Sequence, residues 1–144
     1  MSAFTDFAEN KIVDHIFRNR AWAVPAAVVV ELYTAAPGEA GGGTVVSGGA
    51  YAPVTHGPSD VTWRATQGGT PAAASSGSSG ATDNAGVITF PAPTANWGSV
   101  SHIGIKDGVG GNLMLYGALA QAKTVNNGDP APTFPDGALD FVVA

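Results

Sequence analysis

The chain has 144 residues, no cysteine and a formal charge of −5. Its length fits one domain with a core of its own, and the missing cysteine excludes a disulfide framework and a zinc–thiolate site. Six scattered basic residues in an acidic chain lack the basic footprint that non-specific binding of DNA or RNA requires.

Charged residues make up 12% of the chain, about half the usual share. Gly, Ala, Ser and Thr take their place. Such a surface suits a subunit embedded in an assembly, and equally a small-residue-rich soluble domain. The most apolar stretch, Val24 to Ala36, contains Pro25 and Glu31 and is too short to span a bilayer. The start carries Asp6 and Glu9 rather than a basic leader, so synthesis in a cytoplasm is expected, without a targeting segment or membrane partner.

Residues 1–20 read as the one helix. Phe4, Phe7, Ala8, Ile12, Ile16 and Phe17 recur at three-to-four spacing. Asp6 and Glu9 match a capping pair, and Arg18 and Arg20 suit the far end of the helix dipole. The helix either covers one opening of a β-sandwich or forms an arm on a neighbouring subunit.

Pro25 marks the change to strand. Val28, Val30 and Leu32 alternate with Val29, Glu31 and Tyr33, predicting a central strand with a partly polar second face. Pro37 to Gly43 reads as a loop. Thr44 to Pro53 holds a short strand broken by Gly48 and Gly49, where a bulge or a close backbone approach is expected. Val61 to Ala65 is a strand candidate with Trp63 inward. Thr66 to Asn84 is nearly all Gly, Ala, Ser, Thr and Pro and has too little apolar area for a core. It predicts a long flexible loop, or an arm ordered by neighbours.

Val87 to Phe90 is the next strand, ended by Pro91 and Pro93. A central hairpin follows. Ile103 and Ile105 share one face, with His102, Gly104 and Lys106 on the other. After the Asp107 to Asn112 turn, Leu113, Leu115 and Leu119 share a face with Gly117, opposite Met114, Tyr116 and Ala118. Asn127-Gly128 signals a turn, and Pro130, Pro132 and Pro135 exclude a central strand after it. Leu139, Phe141 and Val143 line one face of a terminal strand. The pattern predicts a mainly β, single-domain chain over residues 1–144: an antiparallel β-sandwich or jelly-roll-like barrel with one N-terminal α-helix, about six to eight strands and a long Gly/Ser/Ala-rich loop.

Catalytic chemistry is not legible. No serine lies in a Gly-x-Ser-x-Gly elbow. His15, His56 and His102 stand alone in sequence, without metal-ligand spacing. Gly108 to Gly111 leads into a strand rather than a helix, so it does not fit a phosphate loop. The aromatic residues read chiefly as core or interface. No enzyme activity, cofactor or metal is expected.

A resemblance adds to this reading. It runs through Glu9-Asn10-Lys11-Ile12-Val13-Asp14-His15, then Val30-Glu31-Leu32-Tyr33-Thr34-Ala35-Ala36-Pro37-Gly38, Gly41-Gly42-Gly43-Thr44 and Val46-Ser47-Gly48-Gly49-Ala50-Tyr51. It continues in Ile88-Thr89-Phe90-Pro91, in Ala95-Asn96-Trp97-Gly98-Ser99-Val100-Ser101-His102-Ile103-Gly104-Ile105 and in Gly110-Gly111-Asn112-Leu113. It ends in Tyr116-Gly117-Ala118-Leu119 and Lys123-Thr124-Val125-Asn126. In these stretches the chain resembles small tailed-bacteriophage virion proteins of the tail-fibre-like or minor structural kind. The resemblance implies a virion location and no catalytic residues.

Two functions follow as expectations. The first is a capsid decoration (cement) protein that binds the major capsid protein and neighbouring copies of itself. The alternative is a tail or tail-fibre subunit, with a tail protein or host surface glycan as partner. The candidate contact residues lie in the two arms: Ser2, Phe4 and Phe7 in the first, and Thr66, Gly68, Gly69, Ser75, Ser79 and Asn84 in the second.

Overall fold

The computed structural model describes residues 2–66, 69–70, 74–75 and 80–143. In chain order these form strand β1 (Ser2–Phe4), helix α1 (Asp6–Phe17), β2 (Val29–Ala35), β3 (Thr44–Val45), β4 (Val54–Thr55), β5 (Ala81–Asp83), β6 (Ile88–Thr89), β7 (Gly98–Lys106), β8 (Leu113–Val125), β9 (Thr133–Phe134) and β10 (Asp140–Val142). The fold is mainly β and antiparallel, as the alternation predicts. The six-stranded sheet runs β1-β8-β7-β2-β3, with β4 also on β2, and two ribbons, β5–β10 and β6–β9, accompany it. The strands outnumber the expected ones because several are two-residue pairings, too short to show a period in sequence.

The central hairpin is β7 and β8. Ile105 sits between Val30 on β2 and Leu115 on β8, and Ile103 between Leu32 and Gly117. This apolar face joins Ile88, Phe90, Leu139 and Phe141 from in and around the ribbons in one core. The arrangement is a sandwich with one broad sheet and a second layer of short ribbons.

Four sequence expectations need correction. The first concerns Ser2 to Phe4, which is a strand rather than the start of the helix. It pairs with Leu115 to Gly117 of β8. Thr5, not Asp6, is the N-cap, with extended φ and ψ and its hydroxyl accepting from the Ala8 N–H. The second is Val61 to Ala65, which makes a single bridge, Trp63 to Asn84, because Thr62 and Trp63 turn back to the Ser59 carbonyl.

The third correction is Leu113. Ile105 pairs with Leu115 but Lys106 pairs with Leu113, so Met114 is an extra residue in β8. Such a bulge switches the faces beyond it. Leu113 turns to the second face beside Tyr33 and Gly104, and Met114 enters the core. The fourth is the end of the long loop: Ala81 to Asp83 is β5, paired with β10, and Asn84 is fully buried.

Gly48 shows the expected close approach, since a Cβ there would stand 2.9 Å from Trp97 Cδ1. Trp97 donates from Nε1 to the Gly49 carbonyl at 3.0 Å and meets Tyr51 edge-on. No helix among the described residues is long and apolar enough to cross a membrane.

Candidate functional site

The hairpin is regular at one end and splayed at the other. Between the pairs His102–Ala118 and Val100–Lys123, two steps along β7 match five along β8. The excess in β8 makes a wide bulge across residues 119–122. β1 pairs with β8 only as far as Gly117, so β8 continues beyond it without a described strand on its outer side.

A groove of about 790 Å³ lies at this end, between β8 and the segment carrying β9 and β10. Leu32, Val100, Ile103, Leu119, Phe134 and Phe141 give it apolar walls. Ser2 ties its mouth: the hydroxyl donates to the Val142 carbonyl at 2.9 Å and accepts from the Val142 N–H at 3.1 Å. Gln121, Lys123 and Asp140 add polar groups to the lining. The volume is in the range of ligand pockets, and the chemistry suits apolar side chains.

A second cluster joins residues 62–64 to residues 83–86. The Arg64 N–H donates to the Asp83 carbonyl and the Ala85 N–H to the Thr62 carbonyl, so the two segments run side by side as a stem. Arg64 Nη1 donates to Asp83 Oδ1 at 3.0 Å and to the Asn84 carbonyl at 2.8 Å, while Nη2 reaches both Asp136 oxygens at 2.7 and 2.8 Å. The Gly86 N–H, and then the Arg64 guanidinium, hold the Asp136 carboxyl below the usual carboxylate range. Asn84 donates to the Gly86 and Pro135 carbonyls and accepts from the Leu139 N–H.

On the second face of the sheet, the Tyr33 hydroxyl donates to Glu31 Oε2 at 2.6 Å, and Lys106 Nζ stands 3.6 Å from the same oxygen. Burial first, then the bond to Glu31, push the Tyr33 phenol well above its ordinary value. The histidines are apart: His15 Nδ1 accepts from the Trp22 N–H, His56 Nε2 is 2.9 Å from the Thr62 carbonyl, and His102 Nδ1 is 2.8 Å from Ser101 Oγ.

Among the described residues, the predicted contact residues do not converge. Ser2 and Phe4 sit in β1, and Phe4 and Phe7 pack on the core, with Lys11 Nζ 5.6 Å from the centre of the Phe7 ring. Thr66 accepts the Gly69 N–H at its carbonyl, Ser75 is exposed, and Asn84 is interior. Gly68 and Ser79 lie outside the described residues. Sequence reasoning missed the groove. Its one signal was the loss of apolar alternation after Leu119, where Ala120-Gln121-Ala122-Lys123-Thr124 follows. It also missed that Val13, Ile16 and Phe17 face solvent.

Among comparisons with known proteins, a family model described as podophage GP4 fiber I protein gp80 matches residues 3–142. The match spans nearly the whole chain, so the chain belongs to this family of phage structural, fibre-like proteins. No curated protein matches it.

Proposed function

We propose that the chain is a fibre subunit on the tail of a short-tailed phage, working by assembly rather than catalysis. The family match over residues 3–142 carries this reading, because the family's description names a fibre protein of a podophage. The structure supports it in two ways. Residues 62–64 are braced against residues 83–85 by backbone bonds and the Arg64 ion pair, a fixed element of the kind that assembly contacts use. The open groove beside β8 offers an apolar seat for a neighbouring subunit.

Copy number per particle tests the proposal. Quantitative mass spectrometry of purified virions, calibrated on the major capsid protein, is expected to find few copies, and labelled antibody is expected to mark the tail. A ratio near parity with the capsid protein, or label over the head, would overturn the fibre reading in favour of a cement bound to the capsid.

A further inference from the structure

Helix α1 is apolar on two sides, and only one of them is used. Its inner side buries Ala8 in the core. Val13, Ile16 and Phe17 fall within an arc of about 100° on the opposite side, at 3.6 residues per turn. Ile16 is 63% exposed and Phe17 78%, and Val24 just beyond the helix is 79% exposed. Of the ten exposed large apolar residues among those described, four fall between residues 13 and 24, and the others are valines from 45 onward. A patch of this kind marks an interaction surface.

The helix cannot turn this patch onto its own body. The Thr5 N–H donates to the Met114 carbonyl and the Asp6 N–H to the Glu39 carbonyl, fixing its start. The Arg18 and Arg20 N–H groups both return to the Asp14 carbonyl, with Asn19 at φ 52, fixing its end.

Charge selects the partner. Residues 11–24 carry Lys11, Arg18 and Arg20 against Asp14 alone, a net of +2. The whole chain is −5, so the remainder is −7. A second copy therefore offers an acidic body to a cationic, apolar tip. It also offers an apolar groove open along β8, with Asp140 and Lys123 among its lining residues.

We propose that the outer side of α1 from one copy seats in the β8 groove of a second copy. Val13, Ile16 and Phe17 enter at the one-turn spacing by which helices fill apolar grooves. The two patches differ, so a contact made head-to-tail leaves a free groove on one copy and a free helix on the other until a ring closes or a filament grows. The contact belongs to the chain itself and does not depend on where the chain sits on a virion.

The absence of native cysteine makes the test clean. Asn10→Cys places a thiol beside Val13 and Phe17 on the exposed helix side, and Ala120→Cys places one on the exposed bulge of the groove wall. Under mild oxidation, a mixture of the two purified single variants is expected to form a disulfide-linked pair, with neither variant alone doing so. In sedimentation, Phe17→Glu and Ala120→Glu are each expected to weaken self-association by about thirtyfold, the scale of an interface anchor, with circular dichroism unchanged. Crosslinking of Asn10→Cys to itself, a mixture that does not crosslink, or wild-type protein that stays monomeric would each overturn the proposal. Binding of wild type to anionic vesicles that Phe17→Glu abolishes, with self-association unaltered by that substitution, would overturn it too. Purified protein suffices, so failure here leaves the fibre reading standing.

Discussion

The two ends of the β7–β8 hairpin share a sheet and differ in purpose. Near the turn, β8 is matched by β7 on one side and by β1 on the other, and Ile105, Leu115 and Phe4 stand in line across the three strands. At the far end, β8 has no described outer partner, and the bulge at 119–122 opens over the apolar groove. Where pairing is complete on both sides, the strand can bury its side chains only in its own core. Where register is lost, the same strand leaves apolar area for something else. One long strand thus builds both the scaffold and the seat on it.

Truncation measures that difference most directly. Ile105 is 4% exposed within the regular half, so Ile105→Ala is expected to cost about 3 kcal/mol. Leu119 is half-buried on the groove wall, and Leu119→Ala is expected to cost about 1 kcal/mol, because its surroundings are already open. Urea unfolding of the two variants at neutral pH gives both numbers. Equal losses would mean that the splayed end is as much core as the regular end, and the comparison would collapse.

Asn84 sharpens it from the ribbon side. Its amide joins the stem to the segment before β10 through Gly86, Pro135 and Leu139. Asn84→Ala strands the buried Leu139 N–H and removes the donor from the part-buried Gly86 and Pro135 carbonyls, and a loss of about 2 kcal/mol is expected. Faster hydrogen exchange at the Leu139 amide, with the Ile103 amide unchanged, would place the loss in the groove's far wall rather than in the broad sheet.

What could be read beforehand divides along the same line. β2 and the hairpin are long enough for alternation to announce them, so the central sheet was legible in Val30, Leu32, Ile103 and Ile105. Bulges were not, because one added residue at Met114 leaves no trace in composition while it reverses the face of Leu113. β5 hid within a polar stretch, since its partner β10 lies more than fifty residues away and pairing, not hydrophobicity, makes it a strand. Asn84 looked like a loop residue for the same reason: its three partners come together only in the fold. The exposed face of α1 stayed open between two readings because three-to-four spacing reveals that a helix has an apolar side, not how many sides are covered.

The smallest expected effect separates the two ends by pH. The Tyr51 hydroxyl accepts the Leu32 N–H at 2.8 Å, and burial pushes its phenol up to about 12. Tyr33 donates to Glu31 and is raised as well, by burial first. Both side chains sit on or against β2. A phenol whose folded value is raised keeps its proton in the native state after the unfolded chain has lost it. Its contribution is therefore complete below about pH 10, the ordinary value for tyrosine, and is lost as pH climbs from there through the folded value. Stability in urea should accordingly be level from neutrality to about pH 10 and fall above it. Tyr33→Phe removes a donor that must otherwise ionise beside Glu31, so its alkaline decline should be shallower than that of the wild type. Hydrogen exchange should show the Leu32 amide, which donates to the Tyr51 hydroxyl, opening before the amides around Val125. A decline of equal slope in Tyr33→Phe would remove Tyr33 as the cause, and earlier opening at Val125 would show that the splayed end, not the regular one, limits the fold in alkali.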